Sequence, residues 1–404
     1  MGKKVFELLR RYYRYVRLPY VPELAKREYA VIFYARPSVM SRHRAFENLG
    51  QLEDFLAYSA PLHVYRSSAL YQYPDAEMGL KGLIGADLVF DIDADHLKTP
   101  CNKEHDVWTC QNCGAVGRGQ TPEKCPKCAG EKLKTRTWFC EQCLETAKQH
   151  TMRLLDILQA DFGFDRKEIN VFFSGHRGYH IHVLNADVRL LGSDERREIV
   201  DYASAAALNL DYYGFKHISG KPVYPSIRNA EGWERRIIKG MRGFLSQATV
   251  ESITGVGIKR NIAELLVNNR ARVTASWALG GPWMAVKGVS DDTWRKLAKY
   301  VVDQQVAQVD TVVTIDLHRL IRLPGTIHGK TGFKVAPVSQ LETFNPLNDA
   351  IVFKEGKIQV KVFEMPRVKI MNEVFEPLKN VETSLPAYLA VLLVLKGSAE
   401  ETEK

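Results

Sequence analysis

Residues 88–95 read Leu-Val-Phe-Asp-Ile-Asp-Ala-Asp, with apolar and acidic side chains in alternation. A period of two predicts a β-strand with one face in a core. Leu88, Phe90, Ile92 and Ala94 fall on that face; Asp91, Asp93 and Asp95 fall on the other, with Val89. Neighbouring same-face carboxylates on a strand stand roughly 6–7 Å apart, close enough to repel strongly in a sheltered cleft. A divalent cation between them relieves the repulsion, and carboxylate pairs of this kind serve two-metal phosphoryl transfer. A solvated edge-strand face is the plainer reading, so the flanking chain has to decide.

Immediately downstream lie all seven cysteines of the chain, between Cys101 and Cys143. An odd number confined to one window argues against a secreted disulfide framework and for metal binding. Cys110-x2-Cys113-x11-Cys125-x2-Cys128 has two knuckles, the spacing of a four-cysteine zinc ribbon. Cys101, His105, Cys140 and Cys143 remain and would complete a second site of three thiolates and one imidazole. Four protein ligands in each site leave no open position, so both sites are structural. Spacing alone does not decide how the eight ligands divide between them.

Beyond the cysteines, residues 144–160 return to helical spacing. Residues 169–173 then read as a strand, Ser174-Gly-His-Arg-Gly as a tight basic turn, and Tyr179-His-Ile-His-Val as the returning strand. The two glycines let the backbone approach a ligand closely, and Ser174, Arg177 and His180 converge on it as an anion-binding group. A β-hairpin with a polar turn is the bland alternative. Residues 190–305 are helix-like, and their basic stretches at 228–236 and 259–272 read first as solvated faces. Further on, Asp316 precedes Arg322, His328 and Lys330 in a Gly- and Pro-broken loop. One carboxylate would complete a metal triad there, and three cationic or donor groups suit a triphosphate; a surface hairpin is the competing reading.

Upstream, residues 5–20 have the spacing of an amphipathic helix in which arginines alternate with tyrosines. Residues 27–33 and 62–66 read as strands, with a basic segment at 41–46 and a helix at 47–58 between them. At the other end, a helix is predicted from Ser384 to Lys396, then a charged, disordered tail. The apolar run Leu385–Leu395 has eleven residues, against about 20 for a membrane span, and reads as a buried or partner-facing helix. No apolar leader follows Met1, and Phe6 departs from the myristoylation pattern, so an intracellular protein is expected. The 404 residues have room for two or three lobes, and a net charge of +9 favours a polyanionic partner.

In this order the motifs resemble those of the small, catalytic subunit of the archaeal/eukaryotic-type DNA primase, across most of the chain. They are Leu8-Leu-Arg-Arg-Tyr-Tyr13, Arg27-Glu-Tyr29, Val89-Phe-Asp-Ile-Asp93, Ser174-Gly-His-Arg-Gly-Tyr-His180 and Leu320-Ile-Arg-Leu-Pro-Gly-Thr-Ile-His-Gly-Lys-Thr-Gly332. The last is worded like the archaeal branch. The resemblance implies an α/β fold: a mixed-sheet primase/polymerase core with flanking helices, an inserted zinc-binding module and a mainly helical insertion. The core would occupy residues 1–98, 146–190 and 306–383, the zinc module 99–145, the insertion 191–305, and a terminal helix and tail 384–404.

It further implies that Asp91, Asp93 and Asp316 hold two catalytic Mg²⁺ or Mn²⁺ ions. Ser174, Arg177, His180, Arg322, His328 and Lys330 would contact the nucleotide, with Glu28 and Arg42 at further site positions. The family's zinc motif falls on Cys101, His105, Cys140 and Cys143, and this chain departs from it by nesting the four-cysteine ribbon inside. The implied activity is primer synthesis on single-stranded DNA in the archaeal cytoplasm, from nucleoside triphosphates, in a heterodimer with the primase large subunit and away from membranes. A primase-polymerase or end-joining polymerase with the same core is the nearest alternative; a non-catalytic zinc-ribbon nucleic-acid-binding protein is a more distant one.

Overall fold

In the computed structural model, which describes residues 2–97, 99, 101–206, 208–227, 230–279, 281–283 and 285–402, the alternating stretch is a strand. It is β6 (Leu88–Asp93), antiparallel to β11 (Gly178–Val183), itself antiparallel to β10 (Ile169–Phe173). Register explains the burial. Ile92, Tyr179 and Phe173 align across one face, as do Phe90, Ile181 and Val171, and all six are buried. On the other face Asp93 stands opposite Gly178, Asp91 opposite His180, and Val89 opposite His182. Val89 is buried too, because its end of the acidic face is covered.

A second sheet has the order β14-β3-β1-β2, from β1 (Tyr29–Ile32), β2 (Met40–Arg44), β3 (His63–Ser67) and β14 (Leu320–Arg322). Beside it β4 (Ala69–Tyr71) and β5 (Leu83–Ala86) form a hairpin. The chain leaving β14 is bonded to both sheets. Leu323 N–H donates to Val64 O at 3.0 Å, Phe173 N–H to Ala336 O at 2.8 Å, and Val338 N–H to Val171 O at 2.9 Å. The basic loop between these anchors is also held by the first helix, Lys3–Tyr15, which buries a stripe of Val5, Leu9 and Tyr13. Tyr12 Oη donates to Gly325 O at 2.6 Å, and Tyr13 Oη accepts from Ile327 N–H at 3.2 Å. Both tyrosines thus serve packing, as the amphipathic reading expects.

The C-terminal end departs from expectation. β15 (Lys357–Met365) is the centre of a sheet between β18 (Leu378–Pro386) and β19 (Ala399–Glu401), and β16 (Val368–Ile370) with β17 (Glu373–Phe375) forms a hairpin. Ser384 therefore belongs to a strand, and the helix is Ala387–Leu395. The expected disordered tail is instead β19, paired with β15. Its Glu401 carboxylate accepts from the backbone of Lys4 at 2.9 Å and of Val5 at 2.7 Å. Those N–H groups belong to a first helical turn, where no intrahelical partner exists and negative charge is favoured. All nine residues of Ala387–Leu395 are buried, so the apolar run is an interior helix.

Chain contacts divide the molecule into two units. One takes in residues up to 152, 165–200 and 308 onward; it holds the sheets above and the cysteine window, where β7 (Val107–Cys110), β8 (Val116–Arg118) and β9 (Leu133–Arg136) form a small sheet. The other, residues 153–164 and 201–307, is mainly helical, with one hairpin of β12 (Lys216–Ile218) and β13 (Lys221–Val223). Trp233, Trp277, Trp283 and Trp294 are buried in its core. Its arginines are largely engaged locally: Arg236 pairs with Asp161 and, at 2.6 Å, with Asp156, while Arg260 pairs with Glu264 at 3.0 Å. Residues 228 and 229 of the first basic stretch lie outside the described residues, as do 98, 403 and 404 at the expected boundaries.

The interior position of the terminal helix has a measurable consequence. Leu392→Ala removes a fully buried side chain and should lower stability by ~2–5 kcal/mol in urea unfolding. A loss below ~1 kcal/mol would mean that the helix face is free in solution.

Candidate active site and metal centres

Asp91 and Asp93 leave the same face of β6. Asp91 is about a quarter exposed, its Oδ1 lying 3.7 Å from His180 Nε2. Burial, then the charges of Asp93 and Asp310, push its carboxyl up to about 7. Burial also raises Asp93, against the opposing charges of Arg177, His96, Arg322 and Lys330. Two acids held in this way bind protons, or a cation, in preference to standing charged and unpartnered.

The downstream acid whose charge acts on Asp91 is Asp310. Asp310 N–H donates to Asp91 O at 2.8 Å. Its Oδ1 accepts from Val312 N–H at 2.9 Å, capping the short helix Thr311–Ile315, and its Oδ2 lies 3.9 Å from His96 Nε2. Asp316 lies one short helix further on, where its Oδ1 accepts from His318 N–H at 2.9 Å, and its charge adds the smallest part to the rise that Glu28 gives Arg42 and burial gives Tyr71. In the sequence Asp310 reads only as a helix cap before Val312 and Val313, a signal of local structure without chemistry.

The turn after β10 and the basic loop carry a layer of donors. Ser174 Oγ accepts from Gly178 N–H at 3.2 Å, which leaves its O–H free to donate. Gly178 must be glycine, because a Cβ there would lie 2.1 Å from Ile92 O, inside the neighbouring strand. Gly175 has φ +81°, and a Cβ would sit 2.6 Å from His328 Cβ, so the turn closes directly on the basic loop. Thr331 Oγ1 donates to Gly175 O at 2.5 Å and fastens the two together. His328 Nδ1 accepts from Lys330 N–H at 3.2 Å, so a neutral ring carries its proton on Nε2. Burial and the charges of Arg322 and neighbouring rings keep His328 well below the ordinary histidine range.

The motifs did not single out His63 and His176. Burial, then Arg322 and Lys330, push His63 down to about 3. Its Nδ1 lies 2.7 Å from Arg322 Nη1, and its ring meets His328 edge-on at 5.2 Å. His176 stacks on the other side of His328, also at 5.2 Å. The layer thus combines fixed cations, Arg322 and Lys330, with neutral imidazoles packed between them. His180 is likewise neutral near pH 7, pushed down to about 3 by burial and then by Arg322, Arg319 and Arg66.

Glu28 and Arg42 belong to a second cluster of the same unit. Arg42 forks onto the Glu28 carboxylate at 3.0 and 3.2 Å, His43 N–H donates to it at 3.2 Å, and Lys81 Nζ is 3.5 Å away. Burial raises Glu28, but the bonds from Arg42 and His43 prevail and hold it below the usual carboxylate range. Tyr71 Oη lies 2.9 Å from His318 Nδ1 beside them. Arg177, expected to face a ligand, is instead fully buried, with Nη1 donating to Asp106 and to Trp138 O.

The cysteine window folds into two ligand groups. Cys101, His105, Cys140 and Cys143 bring their ligand atoms within 4.8 Å of one another, and so do Cys110, Cys113, Cys125 and Cys128. Cys110 and Cys128 sulfurs are 3.6 Å apart, Cys113 and Cys125 3.8 Å, and Cys140 and Cys143 3.6 Å. Tetrahedral zinc with bonds of ~2.3 Å requires about 3.8 Å between sulfurs, whereas a disulfide requires about 2 Å. Each group can therefore hold zinc. His105 turns Nε2 toward Cys143 Sγ at 3.9 Å and Nδ1 toward Asp106 Oδ1 at 2.9 Å, the carboxylate–histidine arrangement typical of a metal ligand.

Elemental analysis should find two zinc ions per chain, and Cys110→Ser should retain one; a single zinc in the unaltered chain would refute the two-group division. The raised Asp91 gives a pH effect. Its carboxyl holds a proton in the folded chain between about pH 4 and 7 that the unfolded chain has lost, so stability falls as pH rises through that window. In a chelator, Asp91→Asn should therefore be the more stable form by ~1–3 kcal/mol at pH 8, the gap shrinking toward pH 5 in urea unfolding. A pH-independent gap would contradict this.

The model of the DNA primase small subunit family matches residues 131–339. The DNA primase small subunit PriS of Methanococcoides burtonii is 35% identical over 96% of this chain and 95% of its own length. That of Methanothrix thermoacetophila is 33% identical over 97% and 96%, and that of Methanosarcina acetivorans 30% identical over 96% and 94%. With a family match across more than half its length and relatives this similar end to end, the chain belongs to the DNA primase small subunit family.

Proposed function

We propose that this chain is the catalytic subunit of a DNA primase. It joins nucleotides into short primers on single-stranded DNA, by attack of a 3′-hydroxyl on the nucleotide α-phosphate with release of pyrophosphate. The supporting observation is the meeting of Asp91, Asp93 and Asp310 within reach of the charges of Arg322 and Lys330. Hard carboxylate oxygens suit Mg²⁺ or Mn²⁺, and Asp310 takes the third position in place of Asp316. Bound divalent cations would lower the hydroxyl's pKa and neutralise charge on the leaving pyrophosphate.

The chain's own residues orient the substrate. Ser174 O–H, His328 Nε2–H, Lys330 and Arg322 offer donors and positive charge to a triphosphate, and their fixed placement supplies most of the catalytic advantage. Neutral imidazoles suit this role, since they donate without adding positive charge that would compete for the acids. His180, its Nε2 3.7 Å from Asp91 Oδ1, stands beside the acids as a further contact for the nucleotide, and Glu28 and Arg42 are kept as further site positions. Arg177 lends charge to Asp93 while its Nη1 is held by Asp106. The name shared by the relatives implies a large subunit, and a heterodimer with it on a single-stranded template is part of the proposal. Both cysteine groups are closed sites, which assigns zinc a structural role.

The test is primer synthesis on single-stranded DNA with the partner subunit present. Asp91→Asn and Asp310→Asn should each lower incorporation by ~10³-fold or more, with template affinity within about twofold of the parent. Asp316→Asn should stay within about tenfold of the parent. Synthesis retained by Asp91→Asn would reject the enzyme reading. Loss in Asp316→Asn with retention in Asp310→Asn would return the third position to Asp316.

A further inference from the structure

The strongest unexplained feature is the burial of Arg177 directly behind the acid strand. Its Nη1 is surrounded by acceptors: both oxygens of Asp106 at 3.0 Å and Trp138 O at 2.6 Å. Its Nη2 turns to Asp95, with which it forms an ion pair. The backbone of the same residue is joined to the acid segment, since Ala94 N–H donates to Arg177 O at 3.3 Å. Asp95 N–H in turn donates to Asp93 Oδ1 at 3.0 Å. An arginine in this place has an obvious competing partner. A guanidinium fork fits a carboxylate in bidentate fashion, and on Asp93 it would occupy the oxygens that a divalent cation needs.

Asp106 engages Nη1 instead. It is 4% exposed and accepts four bonds: the two from Arg177, one from Trp138 N–H at 3.1 Å, and one from His105 Nδ1 at 2.9 Å. The last bond ties its orientation to the outer metal group, because His105 is held by its other ring nitrogen among Cys101, Cys140 and Cys143. We propose that Asp106 is a positioning residue that couples the Cys101–His105–Cys140–Cys143 metal site to the acid strand, by holding Arg177 away from Asp93 so that the carboxylates stay open to divalent cations. The inserted cysteine module then does more than fold itself: an ordered metal site is a condition for an unblocked acid pair. This rests on the reading of Asp91, Asp93 and Asp310 as cation ligands.

Mn²⁺ affinity of the purified, zinc-loaded full chain, followed by the electron paramagnetic resonance of free Mn²⁺, tests the coupling without relying on turnover. Asp106→Asn should weaken Mn²⁺ binding about tenfold, with zinc content and far-UV circular dichroism unchanged. Adding Arg177→Gln should restore affinity to the parental value or better, because the competing guanidinium is gone and the buried pair becomes neutral. Unchanged affinity in Asp106→Asn, or a double variant no better than the single one, overturns the proposal. If Asp106→Asn does not fold, the double variant decides: affinity at or above the parent supports the coupling, and weaker affinity overturns it. Asp91→Asn is the control, and parental Mn²⁺ affinity in that variant would instead indict the assignment of the acids.

Discussion

Carboxylates crowded on one face of a buried strand set the terms for the rest of this molecule. Asp91 and Asp93 cannot both stay charged in such a place without positive charge close by, and burial raises both. Their strand is rigid because its other face is committed to Phe90, Ile92 and their partners across the sheet. The acids are therefore fixed at the backbone on a common face. Something else must come to them, and the fold is arranged to bring a cationic loop on one side and a restrained arginine on another.

The loop is positioned by being bonded to two sheets at once. It leaves β14 on the edge of one and reaches β10 on the edge of the other, with the tyrosines of the first helix gripping it between. That helix is itself capped by Glu401 from the far end of the chain. Chain ends and site are thus linked through hydrogen bonds between side chains and backbone. The positive charges follow a consistent division: Arg322 and Lys330 face the acids, Arg177 is tied down by Asp106, and the histidines packed among them are kept neutral by burial and by those same cations.

Much of this was readable along the chain. Alternation placed Asp91 and Asp93 on the polar face of β6 because period-two burial is a local property, whereas Ala94 and Asp95 lie past the end of the strand. The hairpin at 169–183 was legible for the same reason. The cysteine spacing marked eight metal ligands, but only packing divided them into Cys101–His105–Cys140–Cys143 and the four of the ribbon. The tail was misread because charge and position suggested disorder, while the deciding contact lies almost four hundred residues away in sequence, between Glu401 and Lys4.

By itself, then, the sequence determined the acid strand, the metal-ligating groups, the donor-rich turn and loop, and through their order the family. Tertiary structure decided which residues meet. Asp310 and Asp316 are both short-chain acids flanking an apolar segment, and the helix-cap pattern of the first says nothing of metal binding. A short helix packed on β6 carries one to Asp91 and turns the other toward Arg42. Arg177 sits in a motif that suggests an exposed cation, yet a carboxylate seventy-one positions upstream claims it. Charge and hydrogen-bonding capacity are written residue by residue, but the partner that satisfies them is chosen only when distant segments pack.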